Sequence, residues 1–124
     1  MKFTGFHPQG EEERVPPLDL AALLVRKPDA AIFARMVGTA MEAAGIRAGD
    51  LLVIESNDRY ADGQIVLAFV NGQAVVRQLS CEVLLPADEG FPVIELDESC
   101  VIRGRVVAAI TFLKAPRFAL PDAA

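Results

Sequence analysis

The chain has one histidine, two cysteines, one tyrosine and no tryptophan among its 124 residues. Each scarcity removes a class of chemistry. His7 lies close to the N-terminus, so a catalytic triad that needs an internal histidine cannot be assembled. Cys81 and Cys100 form no CxxC pair and have no histidines around them, so no metal site of the usual kind and no cofactor are expected. Both cysteines are expected to be buried small hydrophobes at strand edges rather than nucleophiles. No apolar run reaches the roughly 18–20 residues that cross a bilayer, and Met1 to Phe6 opens no signal-peptide pattern. A soluble, cytoplasmic protein without a membrane partner is expected. Basic residues are outnumbered, 12 Lys+Arg against 17 Asp+Glu for a net charge of −5, and they form no run. Such a surface neutralises phosphates poorly, so direct nucleic-acid binding is not expected.

What is present is apolar material, 52% of the residues, with 23% charged, enough for one core and one domain. Residues 1–17, with Pro8, Gly10, Glu11-Glu12-Glu13, Pro16 and Pro17, read as an N-terminal arm. Between Leu18 and Lys27 a short amphipathic helix is predicted, with Asp19 as N-cap, Leu20, Leu23 and Leu24 at helical spacing, Arg26 and Lys27 in the last turn and Pro28 as the stop. The run from Ala31 to Val37 reads as a strand ended by Gly38. Thr39-Ala40-Met41-Glu42 fits a capping box that starts a one- or two-turn helix at Ala40 and ends near Gly45. Leu51 to Glu55 is a second strand. Gln64 to Val70 and Gln73 to Leu79 flank Asn71-Gly72, the dipeptide of a type I′ hairpin, because both central residues need positive φ. Glu82 to Leu85, Val93 to Leu96 and Val101 to Leu113 supply further strands, with Gly104 marking a bend or bulge. The tail 115–124 is expected to leave the sheet. The total is a mainly β single domain over 18–114 with two short helices.

Carboxylates offer little chemistry by position. Glu55, Asp58, Asp62, Asp88, Glu89, Asp97 and Glu98 all fall in or beside predicted loops and are expected to be solvated.

One constellation is more specific. Val37-Gly38-Thr39-Ala40-Met41, then Ala44-Gly45-Ile46 and Gly49-Asp50-Leu51-Leu52, resembles the nucleophile region of the LexA/UmuD self-cleaving serine peptidases. Asp62-Gly63-Gln64-Ile65-Val66, Val70-Asn71-Gly72 and Val75-Val76-Arg77-Gln78-Leu79 are similar to that family's strand-hairpin-strand carrying its general base. Leu85-Pro86 and Gly104-Arg105-Val106-Val107 follow in order, and Thr4-Gly5-Phe6 with Leu18-Asp19-Leu20 favours the UmuD branch. The resemblance implies a LexA/signal-peptidase-like β-clip domain and a Ser-Lys dyad. It puts the serine at Ala40 and the lysine at Arg77. Alanine has no hydroxyl, and guanidinium stays protonated and cannot serve as general base, so a pseudopeptidase is expected. Gly38, Thr39 and Met41 would line a vestigial pocket, with backbone N–H groups at the capped helix start able to meet an anion.

The family's cleavage bond falls on Thr4-Gly5, where cutting removes almost nothing, so a chain made already in processed form is expected, without a helix-turn-helix domain or anchor. By this resemblance the protein is an inactive UmuD′-like accessory protein of the SOS response. It would form a homodimer and bind a Y-family translesion polymerase, with the RecA filament and a heterodimer with an active relative as further partners. Two alternatives remain open from sequence: a Ser-Lys peptidase represented by a serine-to-alanine variant, and a repressor-type dimerisation module that titrates LexA-like proteins.

Overall fold

The computed structural model describes residues 17–122. Seven strands form one antiparallel sheet: β1 (Ala31–Arg35), β2 (Leu51–Glu55), β3 (Ile65–Val70), β4 (Gln73–Ser80), β5 (Val83–Leu85), β6 (Ile94–Glu95) and β7 (Cys100–Ile110). Their spatial order is β1-β2-β7-β3-β4-β5-β6, so the last strand in the chain lies between β2 and β3. The mainly β architecture is as the sequence predicts, and β2 has the expected bounds.

The β3–β4 turn follows from its residues. Asn71 (φ 53°) and Gly72 (φ 82°) both occupy the left-handed region, and Val70 pairs with Gln73, as a two-residue type I′ hairpin requires. The β4–β5 turn repeats this geometry with poorer residues: Cys81 (φ 48°) and Glu82 (φ 67°) link Ser80 to Val83. A side chain in that region costs about 1–2 kcal/mol per residue. The Asp62 carboxylate offsets part of it by accepting from the Cys81 amide at 3.0 Å. Cys81 is therefore an exposed turn residue and Cys100 is half-buried, a correction to their expected burial in the core.

Helical structure is scantier than predicted. Helix α1 (Leu20–Leu24) has its Asp19 cap, which accepts from the Ala22 amide at 3.2 Å, but it stops before Arg26 and Lys27. Val25 turns extended, and Pro28–Ala30 forms a separate 3-10 turn. The predicted capping box does not form. Glu42 donates its amide to the Thr39 backbone carbonyl at 3.1 Å, and only a 3-10 turn, Glu42–Ala44, results. The cause is tertiary: an α-helix from Ala40 would need its carbonyl for the Ala44 amide. That carbonyl instead accepts from Ala87 and Asp88, and Ala44 donates to Met41.

The core has two parts. Ala34, Met36, Met41, Ile46, Leu52, Ile54, Leu67 and Val76 form one, and Val66, Ala68, Leu79 and Leu84 form the other. Side chains alternate along β3 and β4, so Leu67 and Val76 serve the first while Val66 and Leu79 serve the second.

Gly104 is where β7 changes register, as its position predicts. Against β3, Ile102 pairs with Ala68 and Gly104 with Leu67, leaving Arg103 as the extra residue. Against β2, Val107 is skipped between Val106 and Ala108. A Cβ at Gly104 would lie 2.6 Å from Ile54 Cγ2 and 3.1 Å from the Glu55 carbonyl oxygen, so only glycine lets β7 approach β2 this closely. The chain leaves the sheet after Ile110, earlier than Leu113, and then returns to its edge: the Arg35 amide donates to the Pro121 carbonyl and Arg35 pairs with Asp122 at 2.5 Å.

Candidate functional site

Gly38 to Met41 sit in a loop whose two ends are tied together. The Met36 amide donates to the Asp50 carbonyl and the Gly49 amide to the Met36 carbonyl, each at 2.8 Å. Asp50 is 1% exposed; its carboxylate accepts from the Arg47 amide at 2.9 Å and from the Thr111 hydroxyl at 2.6 Å. Within this clasp Gly38 and Thr39 are exposed, whereas Ala40 (4%) and Met41 (1%) are buried. Gly38 (φ 90°) and Gly45 (φ 92°) make the turns that bring the loop back. No α-helix begins at Ala40: Ala40 and Met41 lie in a turn that leads into the 3-10 turn Glu42–Ala44.

Arg77 stands on β4 opposite Val66 of β3. It is half-buried. One guanidinium nitrogen donates to the Val76 carbonyl at 2.8 Å, the Phe91 ring centroid lies 5.7 Å from Cζ, and Nε is shut away from solvent without a partner. No carboxylate among the described residues pairs with it. Burial lowers its pKa from the usual arginine value, but a guanidinium in a protein is not deprotonated in any ordinary buffer.

Ala40 and Arg77 are linked through one loop rather than by a bond of their own. Ala87 and Asp88 donate to the Ala40 carbonyl at 2.8 and 3.1 Å, and Phe91 of the same loop lies against Arg77. Arg77 makes no hydrogen bond to residues 38–41. Thr4, Gly5 and His7 lie outside the described residues.

Of the seven carboxylates expected to be solvated, Glu55 is not. It is 5% exposed and accepts from Arg26 at 3.1 Å and from Arg105 at 2.9 Å, both through Oε1. These hydrogen bonds, that from Arg26 foremost, hold its pKa below the usual carboxylate range. Asp97 is also held low, by the hydroxyl and amide of Ser99, but it stays exposed. A signal for Glu55 existed in sequence: it closes an apolar strand, LLVIE, with no polar alternation to mark a solvent face, and such a strand is buried on both sides. Among the described residues no three His, Cys, Asp or Glu side chains are grouped to hold a metal ion, and no helix is long and apolar enough to cross a membrane.

A single antiparallel sheet closed by a late central strand, with a clasped glycine-turn loop at one end and a hairpin bearing one cation beside it, is the architecture of the LexA/UmuD-like β-clip peptidase domain. The chain belongs to the Peptidase S24-like family, whose sequence pattern matches residues 4–107. It is 31% identical to Protein SamA of Salmonella typhimurium (strain LT2) over 98 residues, covering 77% of this chain and 70% of SamA. It is 33% identical to Protein MucA of Escherichia coli over 108 residues, 82% of this chain and 73% of MucA. It is also 35% identical to the LexA repressor of Delftia acidovorans over 82 residues, 61% of this chain but 37% of that repressor.

Proposed function

We propose that this protein is a catalytically inactive, UmuD′-like accessory protein of the SOS response, a cytoplasmic homodimer that binds a Y-family translesion polymerase. The observation that carries the reading is the pair Ala40 and Arg77 at the two positions where the family resemblance expects nucleophile and base. A Ser-Lys dyad works by moving a proton from a hydroxyl to a neutral, desolvated amine. Ala40 offers a methyl group, and its carbonyl is already bonded to two amides. Arg77 is a cation at working pH and takes no proton.

The surface supports a role through protein contacts. Leu20, Phe33, Val37, Leu113 and Phe118 are each at least 39% exposed, which is apolar area for a second copy or a partner to cover. The acidic balance of −5 agrees with a partner other than DNA itself. RecA filaments and a mixed dimer with an active relative belong to the same proposal.

Two measurements test it. The wild-type chain incubated with RecA filaments and an uncleaved relative should yield no cleavage, and Ala40→Ser/Arg77→Lys should recover some; cleavage by the wild type overturns inactivity. Co-purification with a Y-family polymerase, under conditions where an authentic relative is retained, tests the partner; absence of binding by the dimer overturns it. The similarity to a LexA repressor supports one rival, a dimerisation module that titrates such repressors. That reading predicts heterodimers with a repressor and no retention of polymerase. The other rival, a peptidase seen as a serine-to-alanine variant, predicts full activity from Ala40→Ser alone.

A further inference from the structure

An ionic cluster lies apart from Ala40 and Arg77, in a cleft of about 260 Å³ between α1 and the sheet. Leu23 and Leu24 of α1 form one wall, and Val107 and Ala108 of β7 the other. Arg26, Glu55 and Arg105 complete the lining. Both arginines donate to the same oxygen, Oε1 of Glu55, while Oε2 accepts no hydrogen bond among the described residues. Glu55 is 94% buried at its side chain, which is 6% exposed, whereas that of Arg26 is 67% exposed.

Two cations against one carboxylate leave the cleft at +1 in a chain whose net charge is −5. Guanidinium has five N–H donors in a planar fork suited to carboxylates. Arg26 spends one of them here, and its side chain stands 67% exposed, with its other donors within reach of a ligand. A second carboxylate would balance the cluster and take up free donors. A cation would meet two guanidinium groups. The leucine and valine walls give a bare inorganic anion nothing, but they suit an aliphatic side chain.

We propose that this cleft binds the free C-terminus of a partner polypeptide ending in an aliphatic residue. Such a residue carries both required groups, carboxylate and hydrocarbon, on one carbon, and a cleft of this volume suits a single residue. The site is independent of the dyad positions and of the polymerase proposal.

The test is a titration of the full chain, methyl-labelled with ¹³C, with N-acetyl-leucine, N-acetyl-leucinamide and isopentylamine. N-acetyl-leucine should shift the methyls of Leu23, Leu24 and Val107 saturably with a millimolar dissociation constant, and the amide should bind at least about tenfold more weakly. The amine should not bind. Arg26→Gln changes an exposed residue and keeps the fold, and it should weaken N-acetyl-leucine about tenfold. The proposal is overturned by equal binding of acid and amide, by full affinity in a folded Arg26→Gln, or by shifts confined to Phe91 and its neighbours. Absence of any shift up to about 50 mM overturns it as well.

Discussion

Arg105 and Arg77 belong to one row across the sheet. Glu55 pairs with Arg105, Arg105 with Val66, and Val66 with Arg77, so all four side chains rise from the same face. One strand, β3, lies between the arginines, which are thus two strand spacings or about 10 Å apart. Each has its Nε shut off from solvent without a partner. Their remaining surroundings differ. Arg105 meets a carboxylate, which it shares with Arg26, while Arg77 meets a carbonyl and an aromatic face, which orient a charge but bring no counter-charge to it. A sheet can thus hold two arginines in equivalent places, one as part of its ionic framework and one as a desolvated charge.

The change with the largest expected effect attacks the spacing that lets the first arginine reach its partner. Gly104→Val would force side-chain atoms into Ile54 and the Glu55 carbonyl, and thermal unfolding should report a loss of about 3 kcal/mol or more. Next, Glu55→Gln places Arg105 in the condition of Arg77. Because the folded-state pKa of Glu55 is lowered, its stabilisation is complete above the ordinary carboxylate range and disappears as pH falls below it. The melting temperature of Glu55→Gln should fall clearly at pH 7 and approach that of wild type under acid. An equal deficit at all pH values would remove the contrast between the two arginines. Arg77→Met, in turn, should leave stability unchanged or raise it by up to about 1 kcal/mol, since it removes a charge that nothing neutralises. A loss of several kcal/mol would reveal a partner for Arg77. A modest loss, about 0.5–1 kcal/mol from the ring contact, is expected from Phe91→Leu, and it should shrink when the substitution is made in the Arg77→Met background.

What the sequence discloses divides along the same line. The Asn71-Gly72 turn was legible because four adjacent residues determine it, and the Asp19 cap because it acts within one helical turn. The Glu55 cluster was not, since its arginines are 29 residues before and 50 after it, and no local pattern encodes such pairings. Thr39 and Glu42 have capping-box spacing, but a loop some 45 residues further on takes the Ala40 carbonyl and decides the matter. The candidate site was legible as positions, Gly38 to Met41 and Arg77, through family resemblance. That Phe91 backs the cation, and that one loop serves both positions, could be read only in three dimensions. The tail shows the same limit, because its return to Arg35 spans 87 residues.

The strand order carries a consequence for how the chain acquires this fold. β2 bonds only to β1 and β7, and β3 only to β4 and β7. A growing polypeptide that has displayed everything through Glu95 therefore holds two pieces with no strand pairing between them, an N-terminal strand pair and a four-strand meander, each with an unsatisfied edge. Insertion of residues 100–110 joins them, so the barrier to folding is dominated by distant contacts made late. A chain interrupted before Cys100 would yield two sticky fragments rather than a smaller domain. The residues that complete the sheet are thus made after every strand they join, and the strand that unites its halves also contributes Arg105 to the acid-sensitive cluster.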